Sequence, residues 1–268
     1  MPRQLSQNQL DVLLLLYKFR FATSNLLTQK LKLQHRNSIN SRLQILEDQE
    51  YIGRRYDKSY KLMNKPASYF MLPKGFAALR SMDGISNTTL KNMYKDAQAT
   101  DGFVERNLTI FGIYNKLETI FGQRFDMFSK SELTGMEDMP EKLPDGLIRL
   151  KTSASPRAKE HNFFLYYAEE RQPLFAISNI ITKQLEYGDS EDWNDLFGKP
   201  PAVILVCDSF TLERRLHRQA GRVEDEAARG QKFYTSTTTE IMATDSPFDG
   251  FLMPLKRMSD GRVPLGTA

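Results

Sequence analysis

One cysteine, Cys207, stands among 268 residues, which leaves no partner for an internal disulfide and fits a reducing compartment. Histidine is nearly as scarce: His35, His161 and His217 have no metal-ligand spacing with one another or with Cys207, so neither a metal nor a cofactor is expected. The chain has no phosphate-cradling glycine loop of the Walker or dinucleotide type, and no serine in a strand-turn-helix elbow. The adjacent Tyr166 and Tyr167 would suit a relaxase nucleophile, but the histidine cluster that such an enzyme needs for its metal is missing. No apolar run approaches the roughly 20 residues that span a bilayer, and "DVLLLLYKF" is too short and too interrupted. The amino terminus lacks the basic start, apolar centre and small-residue cleavage site of a signal peptide, so a cytoplasmic protein without a membrane partner is expected.

What is present is uneven in charge. Residues 1–80 hold 14 Lys and Arg against 5 Asp and Glu, whereas the remainder holds 23 against 28. A basic head on a near-neutral to acidic body suggests that the head binds a polyanion.

The head reads as helices followed by a hairpin. Ser6 and Gln9 form a capping-box pair, with Leu5 and Leu10 as its staple, and predict a first helix from about Gln7 to Phe19. Thr23 or Ser24 caps a short second helix in "ATSNLLTQKL". After the turn "KLQHR", a third helix sets Ile39, Leu43 and Leu46 at core spacing. Its opposite face carries Asn37, Asn40, Ser41, Gln44 and Asp48, with Arg36 and Arg42 on the shoulders. "YIGRRYD" and "ASYFMLPKG" then read as two strands around the loop "KSYKLMNKP". This is the order of a winged helix-turn-helix. Exposed amides such as Asn40 and Gln44 suit base edges in a major groove, and Lys58, Lys61 and Lys65, with Arg54 and Arg55, suit phosphates. Winged helices also dock proteins, in which case these cations only solvate a surface. The polar amides and the basic wing fall on one side of the predicted unit, which favours double-stranded DNA as the partner.

Residues 81–101 are polar and small and predict a linker between domains. A second domain is expected over 102–250. Phe103, Asn107, Ile110, Tyr114, Leu117 and Phe121 mark one face of a helix, "RFDMFS" is a strand, and "LPDGLIRL" and "HNFFLYYAE" form a hairpin. "LFAISNIITKQLEYG" is helical, "PAVILVCDSF" a buried strand, "TLERRLHRQAGRVEDEAARG" a helix and "FYTSTTTEIM" a last core strand. The class is α+β, with a mixed sheet. Arg214, Arg215, Arg218 and Arg222 lie at helical spacing among Glu213, Glu224 and Glu226, and read as a solvated face with a second phosphate contact as the alternative. From about Phe251 the chain reads as a peripheral tail.

The stretch "ASYFMLPKGFAALR" behind a winged helix, the helix around "NLTIFGIYNKLE", the "LPDGLI" and "FFLYYAEE" strands and the helix that follows together resemble the replication-relaxation family of plasmids and integrative elements. The resemblance implies an amino-terminal winged helix, a carboxy-terminal domain similar to the PD-(D/E)xK restriction-endonuclease core, and a part in plasmid replication, relaxation or conjugative mobilisation. It also implies relaxase or replication proteins as partners, and leaves a homodimer open. A core of that type puts an Asp on one strand and an acid and a Lys on the next, so that carboxylates hold Mg²⁺. Pro144 and Asp145 match the first element. Tyr166 and Ala168 stand where the family tends to carry acids, and Glu169 and Glu170 are followed by Arg171. Arginine does not replace lysine as a deprotonatable group. The resemblance therefore implies a degenerate site, and the expected function is a non-catalytic DNA-binding accessory or initiator protein of a mobile element. The alternatives are a Mg²⁺-dependent nuclease using Asp145 and Glu169, and a transcriptional regulator. For Asp145 a turn role before Gly146 competes with metal ligation.

Overall fold

The computed structural model describes residues 5–56, 58–153, 155, 158–219, 231–255 and 261–268. The chain divides into two compact units, 1–115 and 116–268, each with its own sheet.

The first unit begins with α1 (Gln7–Phe19), where the Gln9 side chain accepts a hydrogen bond from the Ser6 backbone N–H at 2.9 Å, as in a capping box. β1 (Ala22–Thr23) leads into α2 (Ser24–Lys30), whose first turn is capped by the Thr23 hydroxyl accepting from Leu26 N–H. α3 (Arg36–Asp48) buries Ile39, Leu43 and Leu46 against α1 and α2. The hairpin strands are β2 (Ile52–Arg55) and β3 (Ser68–Met71), and β1 joins them in a three-stranded antiparallel sheet of order β1-β3-β2.

Two segments of this unit differ from the sequence reading. The hairpin loop holds a helical turn, α4 (Lys58–Leu62), because Tyr60 is buried there and its hydroxyl meets the Asp101 carboxylate at 3.4 Å. Residues 81–101, expected as a linker, carry α6 (Asn87–Met93) behind α5 (Pro73–Leu79) and bury Leu90 and Met93. They also bury Asp96, 1% exposed, in an ion pair with Arg20. Burial pushes the Asp96 carboxyl up from its ordinary value, and the Arg20 hydrogen bond and charge pull it back. Two apolar residues three apart and one carboxylate are too sparse a pattern to distinguish from a solvated connector. α7 (Asp101–Phe121) follows, and Phe111 stacks on Phe19 with centroids 4.1 Å apart. The division between units falls inside this helix, after Asn115, and not at Gly102.

The second unit is a six-stranded mixed sheet of order β4-β5-β6-β7-β8-β9. β4 (Phe125–Ser129), β5 (Gly146–Lys151) and β6 (Glu160–Ala168) form an antiparallel meander. α8 (Lys130–Leu133) caps the end of β4. α9 (Leu174–Ser190) and the single turn α10 (Asn194–Phe197) carry the chain over to β7 (Ala202–Cys207), parallel to β6. α11 (Phe210–Gln219) precedes β8 (Phe233–Thr237), parallel to β7. β6 is buried from Asn162 through Ala168, as expected of a central strand covered on both faces.

The stretch "FYTSTTTEIM", read as one strand, breaks at Thr237. Its hydroxyl accepts from Glu240 N–H at 3.2 Å and starts α12 (Thr238–Ala243). The first described residues of the expected peripheral tail also join the sheet. β9 (Met253–Pro254) pairs with β8, and Phe251, Leu252, Leu255 and Leu265 are buried. Such isolated apolar residues have no periodicity to advertise their burial. Among the described residues, no helix is long and apolar enough to cross a membrane.

Candidate nucleic-acid interface

Helical geometry divides α3 into two faces. With Ile39, Leu43 and Leu46 turned inward, Asn37, Asn40, Ser41, Gln44 and Asp48 are left off the core, and Asn37, Asn40, Ser41 and Gln44 are exposed. Between this helix and the β2–β3 hairpin lies an open groove of about 380 Å³. Arg36, Asn40, Gln44 and Glu47 line it from the helix, and Arg54, Tyr56, Lys65 and Tyr69 from the hairpin. Five of the residues selected from sequence thus meet at one groove: Arg36, Asn40, Gln44, Arg54 and Lys65.

The groove is organised by its own contacts. The Arg36 guanidinium donates to Ser24 Oγ at 3.2 Å, and the Arg54 guanidinium lies 5.0 Å from the Tyr56 ring centroid. Gln44 donates to Asp48 Oδ1 at 2.8 Å, which orients its amide along the helix and leaves its carbonyl oxygen available. Among the described residues, the Asn40 side chain makes no hydrogen bond to the protein. Tyr69 is buried at the base, where desolvation raises its phenol above the ordinary value, Arg54 and Arg36 oppose the rise and Glu47 adds to it. Three cations and one carboxylate line the groove, so its charge remains positive although Lys65 also pairs with Glu105.

The other selected residues lie elsewhere. Arg55 alternates away from Arg54 along β2 and turns to α7, reaching Asp101 Oδ1 at 3.0 Å and the Ala97 carbonyl at 3.3 Å. Desolvation would lower its pKa, but the hydrogen bonds and charges of Tyr60 and Asp101 together outweigh it and raise the value. Arg55 ties the hairpin to its own unit. Lys58 and Lys61 are exposed on α4 and, among the described residues, have no hydrogen-bond or ion-pair partner. Asn37 and Ser41 are exposed, with Ser41 Oγ donating to the Asn37 carbonyl at 3.1 Å, and Arg42 is half-buried. Sequence reasoning missed Glu47, Tyr56 and Tyr69. By sequence Tyr69 is only a strand aromatic, and Glu47 gives no local signal that distinguishes it from a surface acid.

In the second unit Asp145 is buried immediately before β5. Its Oδ2 accepts from Tyr167 N–H at 2.8 Å, and its backbone carbonyl accepts from Lys130 N–H at 3.1 Å. The Tyr166 hydroxyl donates to the Lys142 carbonyl at 2.7 Å and accepts from Gln184 Nε2 at 2.6 Å. Burial, reinforced by the Asp145 charge, raises the Tyr166 phenol far above its ordinary value, so it stays protonated. Glu169 pairs with Arg171 in its own loop. Among the described residues, no group of three or more His, Cys, Asp and Glu is placed to hold a metal ion.

Arg214, Arg215 and Arg218 belong to α11, while Arg222, Glu224 and Glu226 lie outside the described residues. Glu213, expected on the solvated face, is buried. His217 Nε2 is 2.8 Å from Thr235 Oγ1, a contact within the fold, and Cys207 is buried in β7 with its thiol raised by desolvation.

No protein-family model matches the chain, and no curated protein matches it. A solved structure, the restriction endonuclease FokI bound to DNA, is distantly similar, with 10% sequence identity and a TM-score of 0.30. The alignment covers 88% of this chain and 43% of that one, so the chain spans less than half the length of its structural neighbour.

Proposed function

We propose that this chain binds double-stranded DNA through the groove between α3 and the hairpin, and that it does so without cutting it. The observation that carries the reading is the groove itself. It joins amides that can face base edges to guanidinium and ammonium groups that can face phosphates, drawn from two elements that are separate in sequence. The order α1, α2, α3, hairpin supports a winged helix-turn-helix with α3 as the helix that enters the major groove. The meander β4-β5-β6 followed by a crossover to a parallel strand supports a restriction-endonuclease-like body. A role as accessory or initiator protein of a mobile element rests on the family resemblance of the sequence.

Base readout predicts a specific mutant behaviour. On a site selected from a random duplex pool, Asn40→Ala and Gln44→Ala should each cost about 1–3 kcal/mol and leave binding to unselected duplex unchanged. Equal losses on both duplexes in a titration would remove α3 as the reading helix.

The non-catalytic reading has its own support. Asp145 uses a carboxylate oxygen to accept from the Tyr167 amide, and the family resemblance puts Tyr166 and Ala168 where it implies an acidic pair. Supercoiled and linear DNA incubated with the protein and Mg²⁺ or Mn²⁺ should therefore stay intact on a gel. Nicking that vanishes in Asp145→Ala would establish the nuclease alternative.

A further inference from the structure

We propose that the tip of the hairpin is an apolar wedge, Leu62 and Met63, which enters the minor groove of the bound duplex and bends it. This inference rests on the DNA-binding reading above and adds a second, apolar contact to it. Leu62 is 87% exposed and Met63 54% exposed, side by side at the end of α4. Single apolar residues on a surface are commonplace. Here two adjacent ones project from a loop whose other exposed side chains include Lys58 and Lys61.

The tip is held in place rather than left loose. Tyr60 is buried beneath it, with its hydroxyl 3.4 Å from Asp101 and its ring 6.3 Å from that of Tyr56. Asn64, at φ 52°, turns the chain back toward β3, a conformation asparagine tolerates better than most residues. The ligand that satisfies ammonium groups and apolar side chains on one short loop is a duplex minor groove, with phosphates along both edges and stacked bases between them. Proteins that place Leu or Met between base steps unstack the step and kink the duplex. Flexible pyrimidine–purine steps should therefore be preferred opposite the tip.

The test uses the full chain and a mixed-sequence duplex of about 30 bp labelled at its two ends, with bending read by energy transfer and affinity by titration at several salt concentrations. The wild type should bend the duplex by roughly 20–90°. Leu62→Ser/Met63→Ser should bind about tenfold more weakly, leave the duplex straight and keep the salt dependence unchanged, since every phosphate-facing cation is still present. Lys58→Ala/Lys61→Ala should flatten the salt dependence instead. Both serines replace exposed side chains, so thermal unfolding should be unaltered.

Wild-type binding without a bend, or an equal bend in the double-serine variant, would overturn the wedge and leave the DNA-binding reading standing. Absence of any wild-type binding would overturn both. Loss of a wild-type dimer in the double-serine variant, seen by sedimentation, would overturn the wedge by identifying the tip as a self-association surface.

Discussion

Arg262→Ala should lower the stability of the second unit by about 3–5 kcal/mol, the cost of leaving a buried charge without its partner. The charge is Glu213 on α11, whose side chain is 1% exposed. Arg262 holds it with two nitrogens, at 2.7 Å and 3.3 Å, while also pairing with Glu240 and donating to the Phe251 carbonyl at 3.0 Å. Removing the arginine would orphan the Glu213 carboxylate in a low-dielectric site and release the last segment from the sheet. Lys183→Ala is the control. Its pairs with Glu141 and Glu186 lie at the surface, where water and salt screen them, so the loss should be small. Urea unfolding followed by far-ultraviolet circular dichroism measures both. Equal, small losses in the two variants would mean that the Arg262–Glu213 pair does not anchor the fold.

The second large effect is expected in DNA binding. Replacing Arg54, Lys58 and Lys61 together with alanine should weaken binding to every duplex by about 3 kcal/mol, on the order of 100-fold, taking about 1 kcal/mol for each charged group removed. The slope of log affinity against log salt should fall by about 2.7, or about 0.9 for each phosphate that is no longer neutralised. These cations are chosen because the fold leaves them available: among the described residues Lys58 and Lys61 are unpaired, and Arg54 is exposed over the Tyr56 ring. Arg55 is already engaged by Asp101 and Ala97, so Arg55→Ala should loosen the first unit more than it weakens binding. Fluorescence titrations at several salt concentrations separate the cases. If the triple variant kept the wild-type slope, phosphate neutralisation by the hairpin would be ruled out.

The legible part of this protein is the part written in local periodicity. Ile39, Leu43 and Leu46 recur at helical spacing, so the exposed face with Asn40 and Gln44 follows from the turn of the helix alone. The strand pair over Gly146–Lys151 and Glu160–Ala168 can be read from its aromatic and branched residues for the same reason. Tertiary structure decided what each charge faces. Arg54 and Arg55 are neighbours of identical chemistry, yet the register of β2 on β3, Arg54 opposite Tyr69 and Arg55 opposite Ser68, sends one to the groove and the other to α7. Strand alternation assigns them opposite faces, but only the packed helices determine which face is which. Glu213 sits in a charged helical run that resembles any solvated face; its partner lies 49 residues further along the chain. Pairings over such separations leave no periodic trace, because the free energy that selects them comes from burial in the assembled fold and not from any stretch of chain by itself.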